Sequence, residues 1–200
     1  MINSIPFLDS SNTFEERFEI LSKELELSAK WHRPAIFLVL CKSEDVHSES
    51  AATLEQYLLI KSSEKVIHLH LDNESEKKII AILHKSENPD NRVYFLDGLE
   101  YFERENKKTL GFLSEFVDLV NEKKIRAILW LAEDEAANLA HQAPDFWISC
   151  QRIIEFETSL NPEQAFQYTL DLAWQGVRNE SVFMANDKAD ISLPESWPLD

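Results

Sequence analysis

Two hundred residues with 44% hydrophobic content, 12 Phe and 5 Trp suffice for one packed domain, and only 3 Gly and 7 Pro exclude a linker or low-complexity chain. Lys and Arg number 20 against 36 Asp and Glu, a formal net charge of −16, and no basic run exceeds two residues. That balance argues against nucleic acid and anionic membrane, which need basic side chains gathered on one face. It leaves a basic protein partner, or plain solubility, as its meaning.

Asn12 or Thr13 starts a helix, with Glu15 or Glu16 closing a capping box, and Phe14, Phe18, Leu21 and Leu25 recur at helical spacing to about Trp31. Pro34 ends it. Ala35 to Cys41 is a continuous apolar run, the pattern of a strand buried on both faces of a parallel sheet. Ser43 to Glu49 is polar, and Ala51 to Ile60 is helical. Val66 to Leu71 is a second strand, and Glu74 to His84 a helix with Ile79, Ile80 and Leu83 inward. Asn88 to Asn91 is a turn. Val93 to Leu96 is the third strand, followed by a helix over 107–121 with Leu110, Leu113, Phe116, Val117 and Val120 inward. Ile125 to Leu131 is the fourth strand, Asp134 to His141 a short helix, and Ala143 to Trp147 a further helical turn. Arg152 to Phe156 is a fifth strand, and Pro162 opens a last helix to Val177.

Strands alternating with helices predict a three-layer α/β sandwich on a mainly parallel, five-stranded sheet. Residues 1–178 form the domain. Residues 179–200 lose periodicity and read as an extended tail, docked by Trp197. The start of the chain lacks the basic and apolar regions of a signal peptide, and no window resembles a membrane span, so a cytoplasmic location is expected. Cys41 and Cys150 read as two buried thiols without metal-ligand spacing.

Two stretches carry the functional information. Asn91 to Glu100 (Asn-Arg-Val-Tyr-Phe-Leu-Asp-Gly-Leu-Glu) is an apolar strand ending in the acidic residues Asp97 and Glu100. The magnesium-holding strand of a P-loop nucleotidase ends this way, with one carboxylate on the metal and another polarising the attacking water. Such an enzyme also needs a glycine-rich loop with a lysine after its first strand. That place holds Lys42-Ser-Glu-Asp-Val-His-Ser-Glu-Ser50, without a glycine. Here Lys42 precedes the loop, Ser43 and Ser48 cannot replace the glycines, and Glu44 and Asp45 repel a triphosphate.

In the order of its parts the chain resembles the STAND and AAA branches of P-loop nucleotidases, especially bacterial members described as inactive. The matching stretches are Ile36 to Cys41, Val93 to Glu100, Ile128 to Leu131 in the sensor-strand position, and Ala143 to Trp147 ahead of Arg152 to Phe156. The resemblance implies strand order 5-1-4-3-2. It also implies a docking or sensing role in bacterial conflict or signalling systems. The sensor position, usually polar in active relatives, is Trp130 or Ala132.

The expectation is therefore a non-enzymatic, NTPase-like interaction or scaffold module that uses no cofactor and no metal. Phe146, Trp147 and Trp197 are the candidate interface aromatics, against the simpler alternative of core packing. His68 and His70 lie on one side of a strand, where a metal pair is geometrically possible but hydrogen-bonded histidines are the simpler reading. Glu100, Glu103 and Glu105 read as a solvated surface. Two other functions stay open: an acidic inhibitor or immunity-type partner of a basic protein, and an unorthodox nucleotide-binding protein.

Overall fold

A computed structural model describes residues 13–72, 75–86, 91–99 and 106–158, and, further on, 163, 164, 166–168, 170, 171 and 174. The elements are α1 (Phe14–Lys30), β1 (Ala35–Cys41), α2 (Glu44–Ser62), β2 (Lys65–His70), α3 (Glu76–His84), β3 (Arg92–Asp97), α4 (Asn106–Lys123), β4 (Arg126–Ala132), α5 (Glu133–Gln142), α6 (Pro144–Ser149) and β5 (Arg152–Phe156). The described positions between 163 and 174 are helical. The expected turn at Asn88–Asp90, Pro162, Val177 and the tail 179–200 lie outside the described residues.

The five strands form one parallel sheet in the order β2-β3-β4-β1-β5. This is the α/β architecture and the 5-1-4-3-2 order expected above. The order also explains the layers. From β1 the chain crosses the sheet to β2, then returns through β3 and β4 and passes β1 to reach β5. Right-handed crossovers in opposite directions put their helices on opposite faces. Accordingly α1 and α2 pack one face, while α3, α4, α5 and α6 pack the other. Strand β1 feeds both cores by alternation: Ile36, Leu38 and Leu40 point to one, and Phe37, Val39 and Cys41 to the other. All seven of its residues are buried, which is why its sequence is uniformly apolar.

Local signals place the helix starts. Thr13 caps α1 and Glu16 returns the capping-box bond to the Thr13 amide at 3.1 Å. Pro144 stands in the first turn of α6.

Three expectations need correction. The polar stretch after β1 is not a loop: Ser43 caps α2, its hydroxyl accepting the Val46 amide at 3.3 Å, and Glu44 and Asp45 occupy the first turn. Acidic residues there complement the positive end of the helix dipole. In α4, Leu110 is 42% exposed, while Phe112 and Leu119 are buried. Leu110 lies about 120° round the helix from the core residue Phe116, beyond the covered stripe. Phe146, a candidate interface residue, belongs to the core, and Trp147 is half-buried against it. The exposed side chain of that helix is Ile148, at 80%.

Gly111 lies inside α4, and a Cβ built there meets nothing within 4 Å. Glycine in a helix interior costs about 0.5–1 kcal/mol relative to alanine. Gly111→Ala is therefore expected to raise stability by about that amount, read as a higher urea midpoint with unchanged slope.

Candidate functional site

A crevice of about 400 Å³ opens at the carboxyl ends of the strands. Its walls are the end of β1 (Cys41), the start of α2 (Ser43, Glu44, His47), the end of β2 (His70), the end of β3 (Asp97, Gly98), the end of β4 (Trp130 to Ala132) and Glu135 of α5. Strands β1 and β4 are neighbours whose following helices lie on opposite faces. Open α/β sheets place ligands outside such a switch point, where diverging loops leave a gap.

Only Lys42 and Ser43 separate β1 from α2. The Lys42 amide donates to the Phe156 carbonyl at 3.3 Å and so extends the β1–β5 ladder. The Lys42 side chain is absent from the crevice wall. Its charge acts on Glu155, whose carboxyl burial and Glu133 hold above its ordinary value, while Arg17 and Lys42 pull it down. Asp45 and Ser48 are exposed on α2, away from the wall. Of the five positions expected at a degenerate phosphate loop, Ser43 and Glu44 reach the crevice. Among the described residues no Lys or Arg lines it, while Glu44, Asp97 and Glu135 do.

The carboxylates already have partners. Asp97 Oδ1 lies 2.5 Å from His70 Nδ1, across the β2–β3 register that aligns the two residues. Glu135 Oε2 accepts the Ala132 amide at 2.9 Å and holds the start of α5. Glu44 Oε1 lies 3.4 Å from His47 Nδ1. Glu100, the second expected carboxylate of the acidic strand, lies outside the described residues, as does Trp197.

Gly98 makes the Asp97–His70 arrangement possible. Its φ is +85°, and a Cβ there would sit 2.3 Å from the Leu71 carbonyl oxygen. The chain beyond β2 therefore runs against the end of β3, with the Leu71 amide donating to the Asp97 carbonyl at 2.9 Å.

Trp130, at the expected sensor position, is 3% exposed. Its ring packs on His47 (centroids 5.1 Å apart) and edge-on to Phe95 (5.5 Å). A bulky indole thus closes this side of the crevice at the end of β4. Ala132 follows at the rim.

Burial, with Glu44 adding to it, pushes Cys41 up to about 12, and burial pushes Cys150 to about 12 as well. Both are free; Cys41 is buried in one core, as expected, whereas Cys150 is only partly buried against the core on the opposite face. His68 pairs with Glu55 at 3.2 Å, so each strand histidine meets a carboxylate. Both stand more exposed than a half-buried position, because β2 is an edge strand. Among the described residues no group of three or more His, Cys, Asp or Glu is placed to hold a metal ion.

Sequence reasoning missed His47 and Glu135 as wall residues and His70 as the partner of Asp97. The last was discoverable only from the register of β2 against β3, which no single segment encodes. No protein-family model matches this chain, and no curated protein matches it in sequence. Among the described residues no helix is long and apolar enough to cross a membrane.

Proposed function

We propose that this chain is an NTPase-like domain without catalysis, working as a protein-interaction or scaffold module. The observation that carries the reading is the direct passage of β1 into α2. An enzyme of this architecture wraps successive backbone amides around a polyphosphate between those elements. Here a two-residue turn and a Ser43 cap occupy that position, followed by Glu44 and Asp45. A triphosphate would meet three carboxylates on the wall and no permanently cationic side chain among the described residues.

Asp97 supports the same reading. A magnesium-holding carboxylate must present its oxygens to the ion or its waters, whereas Asp97 is drawn to His70. The resemblance to inactive bacterial STAND and AAA members supports a role in conflict or signalling systems. The net charge of −16 favours a basic protein as the partner, which also fits an inhibitor or immunity-type role.

The test is a thermal melt of the full chain with ATP or GTP and magnesium at millimolar concentration. A ligand bound only by the folded form raises the melting temperature with its concentration. The reading predicts an unchanged melt. A concentration-dependent rise would support a nucleotide-binding crevice and sink the inactive assignment.

A further inference from the structure

A second concavity, of about 300 Å³, lies between α4 and the α5–α6 corner and shares no lining residue with the crevice. Its floor is apolar: Leu110, Val117 and Phe146 line it. Its lining includes two exposed carboxylates, Asp118 of α4 and Asp145 of α6. Among the described residues no Lys, Arg or His lines it.

The backbone of α4 adds an independent observation. Gly111 lies about 60° round that helix from Ser114, a lining residue, so two small residues stand side by side at the groove's edge. Gly111 weakens its helix, and nothing packs where its side chain would be. Space of that kind lets another backbone approach closely.

Charge selects the occupant. A second copy of this chain would bring a further −16 to these two carboxylates. The chain's own residues 179–200 carry five acidic side chains (Glu180, Asp187, Asp190, Glu195, Asp200) against Lys188 alone. Both are electrostatically mismatched. We propose that the groove docks an amphipathic helix of a partner protein, with an apolar stripe for the floor and Lys or Arg at its flanks for Asp118 and Asp145. The inference rests on the interaction-module reading and names the surface and the chemistry of its partner.

The probe is a labelled helical peptide with leucines at every third and fourth position and lysines between them, titrated into the full chain by fluorescence anisotropy. A counterpart with glutamates in place of the lysines serves as control. The lysine peptide is expected to bind, more weakly as salt is raised, and the glutamate peptide is not. Ser114→Trp fills the groove without altering charge and is expected to weaken binding at least about tenfold. Leu110→Ala, at an exposed position that the fold does not need, is expected to weaken it as well. Gly111→Ala should raise the melting temperature yet reduce affinity, a split that a purely structural glycine would not produce.

Equal binding by the wild type, Ser114→Trp and Leu110→Ala would overturn the proposal, because the peptide would then be held by diffuse negative charge. A dimer in sedimentation that Ser114→Trp dissolves would assign the groove to a second copy. Tighter peptide binding after deletion of 179–200 would assign it to the chain's own end. Either result also overturns the proposal. Nucleotide titration reads the other concavity, so failure of the inactive reading is seen separately.

Discussion

Arg126→Met is expected to destabilise the fold by about 3–5 kcal/mol at neutral pH, because it leaves a buried carboxylate without its counter-charge. Arg126 opens β4 and is 2% exposed; Glu64, in the turn before β2, is 5% exposed. The guanidinium donates through Nη1 to Glu64 Oε1 at 2.8 Å and through Nη2 to the Arg92 carbonyl at 3.3 Å. Burial holds the Glu64 carboxyl above its ordinary value of 4.5, against Arg126, which pulls it down, and with Glu26, which pushes it up. Removing Arg126 raises it further.

A carboxyl whose folded value lies above its unfolded value binds its proton more tightly in the native state. Its contribution is fully present below about pH 4.5 and is lost as pH rises through the folded value. The penalty in Arg126→Met should therefore shrink on acidification, in urea melts at a series of pH values. Replacing both partners, Arg126→Met with Glu64→Leu, should recover most of the loss at neutral pH. A penalty below about 1 kcal/mol, or one that grows toward acid, would contradict this account of the pair.

Gly98→Ala carries the second large expected effect, a loss of about 3 kcal/mol, from left-handed backbone strain and from a Cβ driven into the Leu71 carbonyl. The two nearest atoms are Leu71 backbone, the oxygen and the nitrogen at 3.0 Å, so turning the third neighbour, the His70 ring at 3.1 Å, does not relieve the clash. Because Asp97 precedes this glycine and His70 precedes Leu71, the same change should separate the Asp97–His70 pair. Chemical denaturation measures the first effect, and the His70 ring resonances in NMR report the second. A variant with wild-type stability and unchanged His70 resonances would show that the end of β3 is not held against β2 in this way.

β1, β3 and β4 were legible as apolar runs bounded by polar residues, β2 as an alternating edge strand, and β1 and β5 begin and end where the sequence pattern does. The strand order came with the resemblance, and the sheet bears it out. The start of α2 was hidden for a physical reason. Its buried face includes Ser50 and Thr53, at 1% and 3% exposure, so the apolar period is broken where the helix packs. Thr53 returns its hydroxyl to the Glu49 carbonyl at 2.7 Å, a local bond that lets a polar residue lie inside.

The candidate site was legible in part. Asp97 was visible as the end of an apolar strand, but its partner was not, because His70 reaches it only through the β2–β3 register. For Phe146 the sequence left interface and core packing open, with core the simpler; packing of α6 against α4 turns it inward and leaves Ile148 outside. Exposure of Leu110 depends on how far α4 is covered by α6, a tertiary fact that helical spacing alone does not contain.

Direct titration of the full chain with ATP and with GTP, each with magnesium, tests the central claim that the seat after β1 no longer holds a polyphosphate. Calorimetry is predicted to show no saturable heat up to millimolar nucleotide. A micromolar isotherm that Asp97→Ala abolishes would contradict it.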